Sequence, residues 1–157
     1  VIPVLNDWIA RFLAAGLPII ATRDWHPPDH CSFQAQGGPW PEHCVAGSPG
    51  AAYSPDLALP PGTQIISQAS RPEAEAYSGF DGTELRDELE RRGVRRLFIG
   101  GLATDYCVLN TVLDGLRLGY EILLLTDAIR AVEAQPGDGE RAIAAMLAAG
   151  ALPWGGS

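Results

Sequence analysis

The most informative absence in this chain is lysine, because all 11 basic residues are arginine. They face 19 Asp and Glu residues, which gives a formal net charge of −8. The densest group of basic residues is the short run Arg91, Arg92, Arg95 and Arg96, placed where a predicted helix gives way to a strand. Proteins that bind nucleic acid present larger basic surfaces to the phosphates. We therefore expect no nucleic-acid partner.

Long apolar runs and abundant cysteine are also missing. The longest nearly apolar stretches, at 12–22 and 142–153, are shorter than the roughly 20 residues that span a bilayer, and no signal-peptide pattern opens the chain. The three cysteines, Cys31, Cys44 and Cys107, cannot all pair within one chain, so free thiols are expected. We predict a soluble, cytoplasmic protein that does not enter a membrane.

Apolar periodicity and turn residues divide the chain into alternating helices and strands. We predict helices at 6–16, 83–92, 105–118 and 139–149, and strands at 17–22, 63–67, 96–100 and 121–125. The segment 23–61 is rich in Pro, Gly, His and Trp and has no sustained period, and connections of that length are usually functional. The tail at 152–157 is predicted to be frayed. The alternation predicts one α/β domain over 1–157, with a three-layer, Rossmann-like arrangement of a parallel sheet flanked by helices.

All three histidines fall within eighteen residues of one another, in this irregular segment. Asp24 and His26 are two residues apart at the end of a strand, so their side chains point the same way, and His43 can return through the loop. One carboxylate and two imidazoles leave open coordination positions, as a catalytic divalent metal requires. His30 is a candidate fourth ligand, or a partner of the ligands.

Two other interpretations of the histidine cluster stay open. The histidines could be surface or capping residues of a proline-rich loop. A structural zinc site could use Cys31 and Cys44, although neither cysteine belongs to the close Cys-x2-4-Cys pair that is typical of such sites.

Cys107 is the second candidate for chemistry. It lies at the start of a predicted helix, after a strand that turns through glycines and small residues. Free backbone N–H groups and the positive end of the helix dipole favour a thiolate there and can bind an oxyanion. The carboxyl end of a parallel strand is also where α/β sheets bind ligands. The alternative is a buried cysteine that packs as a small apolar side chain.

Four strings of the sequence stand out as motifs. In chain order they are Arg-Asp-Trp-His-Pro-Pro-Asp-His at 23–30, Trp-Pro-Glu-His-Cys-Val at 40–45, Tyr-Ser-Gly-Phe at 77–80 and Gly-Leu-Ala-Thr-Asp-Tyr-Cys-Val at 101–108. Together they resemble the nicotinamidase/pyrazinamidase branch of the isochorismatase-like cysteine hydrolases. The resemblance implies a parallel sheet flanked by helices, one divalent metal ion such as zinc, iron or manganese, and hydrolysis of nicotinamide to nicotinate and ammonia, a step of NAD salvage.

The resemblance also implies roles for individual residues. Cys107 would be the nucleophile and would form a thioester with the substrate. The Leu102–Ala103 peptide bond would be cis, so that the amides of Ala103 and Cys107 surround the oxyanion. The metal ligands would be Asp24, His26 and His43. The residues lining a pocket for a flat aromatic ring would be Trp40, Tyr77 and Tyr106.

Two departures from the family pattern affect the catalytic residues. The family joins its cysteine to an aspartate on the first strand and to a lysine on a later one. This chain has Gln68 at the lysine position, and it opens with the helix that should follow the first strand, so no triad aspartate can be assigned. The short C-terminus indicates that the last strand is also missing. We therefore expect a sheet without its first strand, a chain trimmed at both ends, and impaired catalysis.

The leading interpretation is a metal-assisted nicotinamidase. One alternative is a hydrolase of another small amide, such as an N-carbamoyl compound. The Asp-His-His pattern favours nicotinamide, because the resemblance implies that carbamoyl-specific and isochorismatase-type relatives usually lack it. The other alternative is a non-catalytic relative that binds a metal or ligand. The expected partner is a small-molecule amide, and a homo-oligomer stays open.

Overall fold

A computed structural model describes residues 1–155 of the chain. The α-helices are α1 (Ile2–Ala14), α2 (Leu85–Arg91), α3 (Leu109–Arg117) and α4 (Asp138–Ala148). The strands are β1 (Ile20–Asp24), β2 (Gln64–Gln68), β3 (Arg96–Leu102), β4 (Glu121–Arg130) and β5 (Leu152–Trp154). Short 3-10 turns cover Gln34–Gln36 and Pro49–Ala51, and a π-helical turn, Thr104–Val108, leads into α3.

The strand pairings within residues 1–155 are parallel, as the alternation of helices and strands predicted. The predicted α/β fold, parallel strands flanked by helices, is thereby confirmed. β1 pairs with β2, while β3, β4 and β5 lie side by side in that order. In the described part of the chain these ladders form a two-stranded and a three-stranded sheet.

The end of the chain departs most from the prediction. Residues 152–154, expected to be frayed, form β5, which pairs with β4 so that Leu152 lies opposite Leu123 and Trp154 opposite Leu125. The expectation of a missing last strand was therefore wrong. Trp154 also packs edge-on against Phe98 of β3, with ring centroids 6.1 Å apart, which gives the short strand a side-chain anchor. Residues 156 and 157 lie outside the described residues.

The core is built around β4. Its run from Ile122 to Leu125 is buried on both faces, as expected for a parallel strand covered by helices on each side. Val112 of α3 and Met146 of α4 are fully buried in the same apolar cluster. Each such side chain contributes about 1.5–3 kcal/mol relative to an exposed one. The core thus fixes the strands whose carboxyl ends carry the site described below.

Several element boundaries were predicted wrongly. α1 begins at Ile2 rather than at residue 6, because Pro3 fits the first turn of a helix. The Asn6 side chain instead donates to the Asp56 carbonyl oxygen and accepts from the Ala58 N–H, which ties the irregular segment to the helix. β4 was predicted to end at residue 125 but continues to Arg130 beyond the polar pair at 126–127, because the side chains of Ala128 and Ile129 are buried.

The helix predicted at 105–118 begins instead with the π-helical turn at Thr104. The helix predicted at 83–92, with Thr83 as its N-cap, begins instead at Leu85 with Glu84 at the N-cap position. Thr83 Oγ1 accepts from the Leu85 N–H at 3.2 Å. Along residues 1–155 we find no helix with the length and apolar character needed to cross a bilayer.

Candidate active site

The carboxyl ends of three strands bring the predicted site residues together. Asp24 ends β1 and Gln68 ends β2, and the parallel register sets these two residues opposite each other. Cys107 lies in the π-helical turn that follows β3. Gln68 Nε2 is 2.8 Å from Asp24 Oδ1 and 3.3 Å from Cys107 Sγ. The site therefore forms at the edge of the sheets where α/β proteins bind ligands.

Gln68 is held by three acceptors around one nitrogen. Nε2 donates to the Asp24 carboxylate and also lies 3.3 Å from the Tyr77 carbonyl oxygen and 3.3 Å from the Cys107 thiol. Turning the amide over would place Oε1 against the carboxylate, so the contacts fix its orientation. Oε1 is buried and has no hydrogen-bond partner in the described residues. A neutral amide thus links the carboxylate to the thiol.

The predicted metal ligands gather in one place. One donor atom each from Asp24, His26 and His43 lies within 4.8 Å of the others. The His26 backbone N–H donates to the Cys44 carbonyl oxygen at 3.0 Å, which brings the loop carrying His43 back to the end of β1. Burial lowers the pKa of His26, so its ring is neutral at pH 7 and can donate a lone pair.

The hydrogen bonds of the two imidazoles fit a metal ion. His26 Nδ1 lies 3.1 Å from the His43 carbonyl oxygen, and His43 Nδ1 lies 2.8 Å from the Pro41 carbonyl oxygen. An Nδ1–H that donates to a carbonyl oxygen leaves Nε2 unprotonated and fixes the ring, as is usual for histidines that bind metals. The donor chemistry of the three residues therefore fits a borderline divalent ion such as zinc.

His30 lies beside this cluster but outside the donor group of Asp24. Its buried ring stacks on His26 with centroids 4.4 Å apart. Its donor atom instead groups with those of His26 and Glu75. The role of His30 as a fourth ligand or as a partner of the ligands stays a prediction.

The pKa of Cys107 differs in direction from the sequence-based expectation. Burial and, to a smaller extent, the Asp24 carboxylate, whose Oδ1 is 3.9 Å from Sγ, raise the pKa of its thiol to about 12. The Gln68 amide and the Ala103 backbone N–H lower it by hydrogen bonding, but they do not offset the burial. The helix start predicted a thiolate, whereas burial and the nearby carboxylate favour the protonated thiol.

The predicted cis peptide bond between Leu102 and Ala103 is present. It lies between β3 and the π-helical turn, and the Ala103 carbonyl oxygen accepts from the backbone N–H groups of Tyr106 and Val108 at 3.1 and 3.0 Å. The Ala103 N–H faces the Cys107 thiol. A negatively charged oxygen formed next to Sγ would therefore meet this amide.

The three predicted aromatic residues form a wall beside the thiol and the histidines. The Tyr106 ring lies 5.2 Å from Trp40 and 5.5 Å from Tyr77, centroid to centroid. Trp40 Nε1 donates to the Tyr77 hydroxyl at 2.9 Å, and the Trp40 ring also meets His43 edge-on. The wall is contributed by three separate segments, so its assembly depends on the tertiary fold. Aromatic faces of this kind suit a flat ring.

Comparison with known proteins agrees with this geometry. The sequence profile described as the Isochorismatase domain matches residues 1–153. The chain belongs to the isochorismatase family.

Similar members of the isochorismatase family include amide hydrolases. Nicotinamidase of Escherichia coli K12 is 38% identical, over 94% of this chain and 78% of that protein. The crystal structure of pyrazinamidase of Pyrococcus horikoshii in complex with zinc has 46% identity and a TM-score of 0.93, over 99% of this chain and 84% of that one. PnC1 from L. infantum in complex with nicotinate has 34% identity and a TM-score of 0.83, over 98% and 80% of the two chains. These relatives support placing the chain among the amidases of the isochorismatase family.

Sequence reasoning missed Glu75. This carboxylate follows β2 and groups with His26 and His30, yet no spacing in the sequence pairs it with either histidine, because they are brought together by the fold. The zinc alternative with Cys31 and Cys44 finds no support, since the donor groups of residues 1–155 contain no cysteine. The Cys44 backbone carbonyl oxygen instead accepts a hydrogen bond from the His26 backbone N–H.

Proposed function

We propose that this chain hydrolyses nicotinamide to nicotinate and ammonia. The observation that carries the proposal is the meeting of a thiol, a three-residue donor group and an aromatic wall at one sheet edge. The similar PnC1 was crystallised with nicotinate, a flat pyridine acid of the size that this wall suits. The activity of the E. coli nicotinamidase supports the same reaction.

Cys107 would act as the nucleophile. Its Sγ attacks the carboxamide carbon, the carbon–nitrogen bond breaks, ammonia leaves with a proton, and water then hydrolyses the thioester. The Ala103 N–H, which faces the Cys107 thiol, would donate to the carbonyl oxygen of the substrate as it becomes negatively charged, together with the Cys107 amide. The aromatic wall orients the ring so that the carboxamide faces the thiol.

Removal of the proton from the Cys107 thiol is the step that limits this mechanism. A thiol with a pKa of about 12 must lose its proton to attack, and the carboxylate closest to Sγ in the described contacts is Asp24, at 3.9 Å. Asp24 also belongs to the donor group, and a carboxylate that binds a cation is a poorer proton acceptor. Gln68 carries no charge with which to stabilise the thiolate. We therefore expect turnover that depends on Cys107 but is slow.

The donor group would hold one divalent cation through Asp24, His26 and His43. Zinc is the ion found with the Pyrococcus horikoshii relative, and iron or manganese fits the same donors. When bound, such an ion supplies a Lewis acid that can bind the pyridine nitrogen and orient water.

Ammonia release and metal content measured on the same samples test the proposal. We expect slow ammonia release from nicotinamide by the wild type, none by Cys107→Ala, and similar metal content in both proteins. Cys107→Ala is the matched control because it removes the thiol and leaves the donor group intact. Equal ammonia release by the two proteins would refute the proposed nucleophile.

A second candidate function is a non-catalytic metal or ligand binder. The neutral Gln68 and the raised pKa of Cys107 favour it, because both reduce the reactivity of the thiol. Bound metal and bound nicotinate without detectable ammonia release would support this candidate over the first. Turnover of an N-carbamoyl compound in place of nicotinamide would instead support the third possibility, a hydrolase of another small amide.

A further inference from the structure

One carboxylate binds the turn that carries Cys107 to the end of the neighbouring strand. Asp105 lies in the π-helical turn, two residues before Cys107. Its Oδ1 accepts from the Val132 N–H at 2.9 Å, and its Oδ2 accepts from the Glu133 N–H at 3.0 Å. These two amides follow β4, which ends at Arg130. Both carboxylate oxygens of Asp105 are thus engaged by successive backbone amides of another segment.

The segment after β4 is shaped to receive this carboxylate. Glu133 has a φ of 58°, in the left-handed region that residues other than glycine seldom adopt. Successive backbone N–H groups beside such a residue form a concave site for an anion. The Glu133 carboxylate in turn accepts from the N–H groups of Gly137 and Gly139, each at 2.8 Å, where α4 begins. The two amides that hold Asp105 are therefore fixed to both β4 and α4.

The position of the π-helical turn decides how the thiol meets the oxyanion donor. The Ala103 N–H faces the Cys107 thiol, and Asp105 lies between these two residues in the chain. A displacement of about 1 Å between reacting groups can cost about 100-fold in rate. The two bonds of Asp105 are thus placed to hold the nucleophile and the donor in one arrangement.

We propose that Asp105 is a positioning residue for the reaction at Cys107. It acts through the backbone, because its carboxylate oxygens contact the amides after β4. The contacts of Cys107 Sγ described above are instead those with Gln68 and Asp24. This inference deepens the proposed function and rests on Cys107 being the nucleophile. It predicts that loss of the Asp105 carboxylate impairs the chemical step and leaves the metal ligands in place.

Nicotinaldehyde, the aldehyde analogue of nicotinamide, measures this arrangement without turnover. The Cys107 thiol adds across the C=O bond, so that sulfur binds the carbon, the thiol proton passes to the oxygen, and no group leaves. That oxygen is placed to accept from the Ala103 N–H. Nicotinate has the same ring but no aldehyde carbon. Affinity for nicotinaldehyde therefore reports the thiol and its donor, and affinity for nicotinate reports the pocket.

The aromatic wall should keep its shape when Asp105 is changed. Tyr106 lies in the same turn, but its carbonyl oxygen accepts from Asn110 Nδ2 at 2.7 Å, and its ring packs on Trp40 and Tyr77. These contacts do not involve the Asp105 side chain. We therefore expect binding of the ring to persist in variants of Asp105.

Four proteins are compared, namely the wild type, Asp105→Ala, Asp105→Glu and Asp114→Ala. Asp105→Ala should bind nicotinaldehyde at least about tenfold more weakly, with nicotinate affinity and zinc content changed less than about twofold. For ammonia release, kcat should fall by a similar factor, with little change in KM for nicotinamide. Asp105→Glu keeps the carboxylate and should recover most of the lost affinity. Asp114→Ala is the matched control, since it removes a partly exposed carboxylate that contacts Arg117 on α3, and it should match the wild type.

Two results would overturn the positioning role. One is an Asp105→Ala variant that binds nicotinaldehyde as tightly as the wild type. The other is an equal loss of nicotinaldehyde, nicotinate and zinc binding, which indicates a general loss of structure. If Asp105→Ala does not fold, Asp105→Asn replaces it. Its carbonyl oxygen can keep one of the two bonds, so it should bind nicotinaldehyde more weakly than the wild type and retain its nicotinate affinity.

Failure of the proposed function has a different signature. A wild type that binds nicotinaldehyde no more tightly than Cys107→Ala would refute the nucleophile itself, and with it the role of Asp105. A wild type that binds nicotinaldehyde through Cys107, beside an unaffected Asp105→Ala, would refute the positioning role alone.

Discussion

Replacing Gln68 with lysine tests how the site controls its thiol. The Gln68 nitrogen lies 3.3 Å from Cys107 Sγ and 2.8 Å from Asp24 Oδ1, so a lysine ammonium placed there would contact both groups. An opposite charge at about 4–6 Å lowers an acidic pKa by about 1–3 units. The pKa of the Cys107 thiol, about 12 in the chain as it stands, would then fall to roughly 9–11.

The rate of alkylation measures this change directly. At pH 7 a thiol with a pKa of about 12 is about one part in 10⁵ thiolate, and a pKa of about 9–11 raises that fraction about 10- to 1000-fold. In the chelator-treated wild type, the rate of Cys107 modification by iodoacetamide should rise about tenfold per pH unit between pH 7 and 10, because thiolate is the reactive form. In Gln68→Lys the rate at pH 7 should increase by the same 10- to 1000-fold.

Gln68→Met is the matched control, because it keeps the length of the side chain and removes the donor. The Gln68 hydrogen bond lowers the pKa of Cys107, so its loss should slow alkylation below the wild-type rate. Ammonia release by Gln68→Lys should increase less than alkylation, since the leaving group still needs a proton. If Gln68→Lys alkylates no faster than the wild type, or if Gln68→Met accelerates alkylation, the electrostatic reasoning is wrong.

Three further predictions concern the metal, the aromatic wall and the core. Elemental analysis should find one zinc ion per chain in the wild type and a loss or marked weakening of zinc binding in His43→Ala; unchanged zinc affinity would exclude His43 as a ligand. Tyr77→Phe removes the acceptor of the Trp40 N–H bond, worth about 0.5–1.5 kcal/mol, so KM for nicotinamide should rise roughly 2- to 10-fold with little change in kcat. Leu124→Ala, at a fully buried position of β4, should lower the free energy of unfolding in urea by about 2–5 kcal/mol, and a loss below 1 kcal/mol would contradict the packing described.

Local patterns in the sequence predicted the parts of the site that depend on short spacing. Asp24 and His26 share one side of a strand end because they are two residues apart. The glycines before Cys107 indicated a turn at the end of a strand, where the nucleophile was predicted. The resemblance supplied the cis bond at Ala103 and the three aromatic residues. These features are found together because the strand ends meet at one edge.

Other features could not be predicted because they depend on contacts distant in sequence. The pKa of Cys107 is set by burial and by Asp24, which no helix-terminus argument includes. Glu75 meets His30 only in the folded chain. β5 has only three residues, so nothing local distinguishes it from a frayed tail until its pairing with β4 is seen.

The pairing of Asp24 with Gln68 ties the chemistry of the site to the stability of the fold. Ile66 and Gln68 lie on the same side of β2, where Ile66 is fully buried in the core and Gln68 contacts the thiol. Shifting β2 by one residue would turn both side chains to the opposite face. A misaligned strand would therefore lose the burial of Ile66, worth about 1.5–3 kcal/mol, together with the Gln68 bridge. A chain with β2 shifted by one residue would therefore be less stable than the native chain. The stably folded molecules are those in which the Cys107 thiol, the Gln68 amide and the Asp24 carboxylate are in contact.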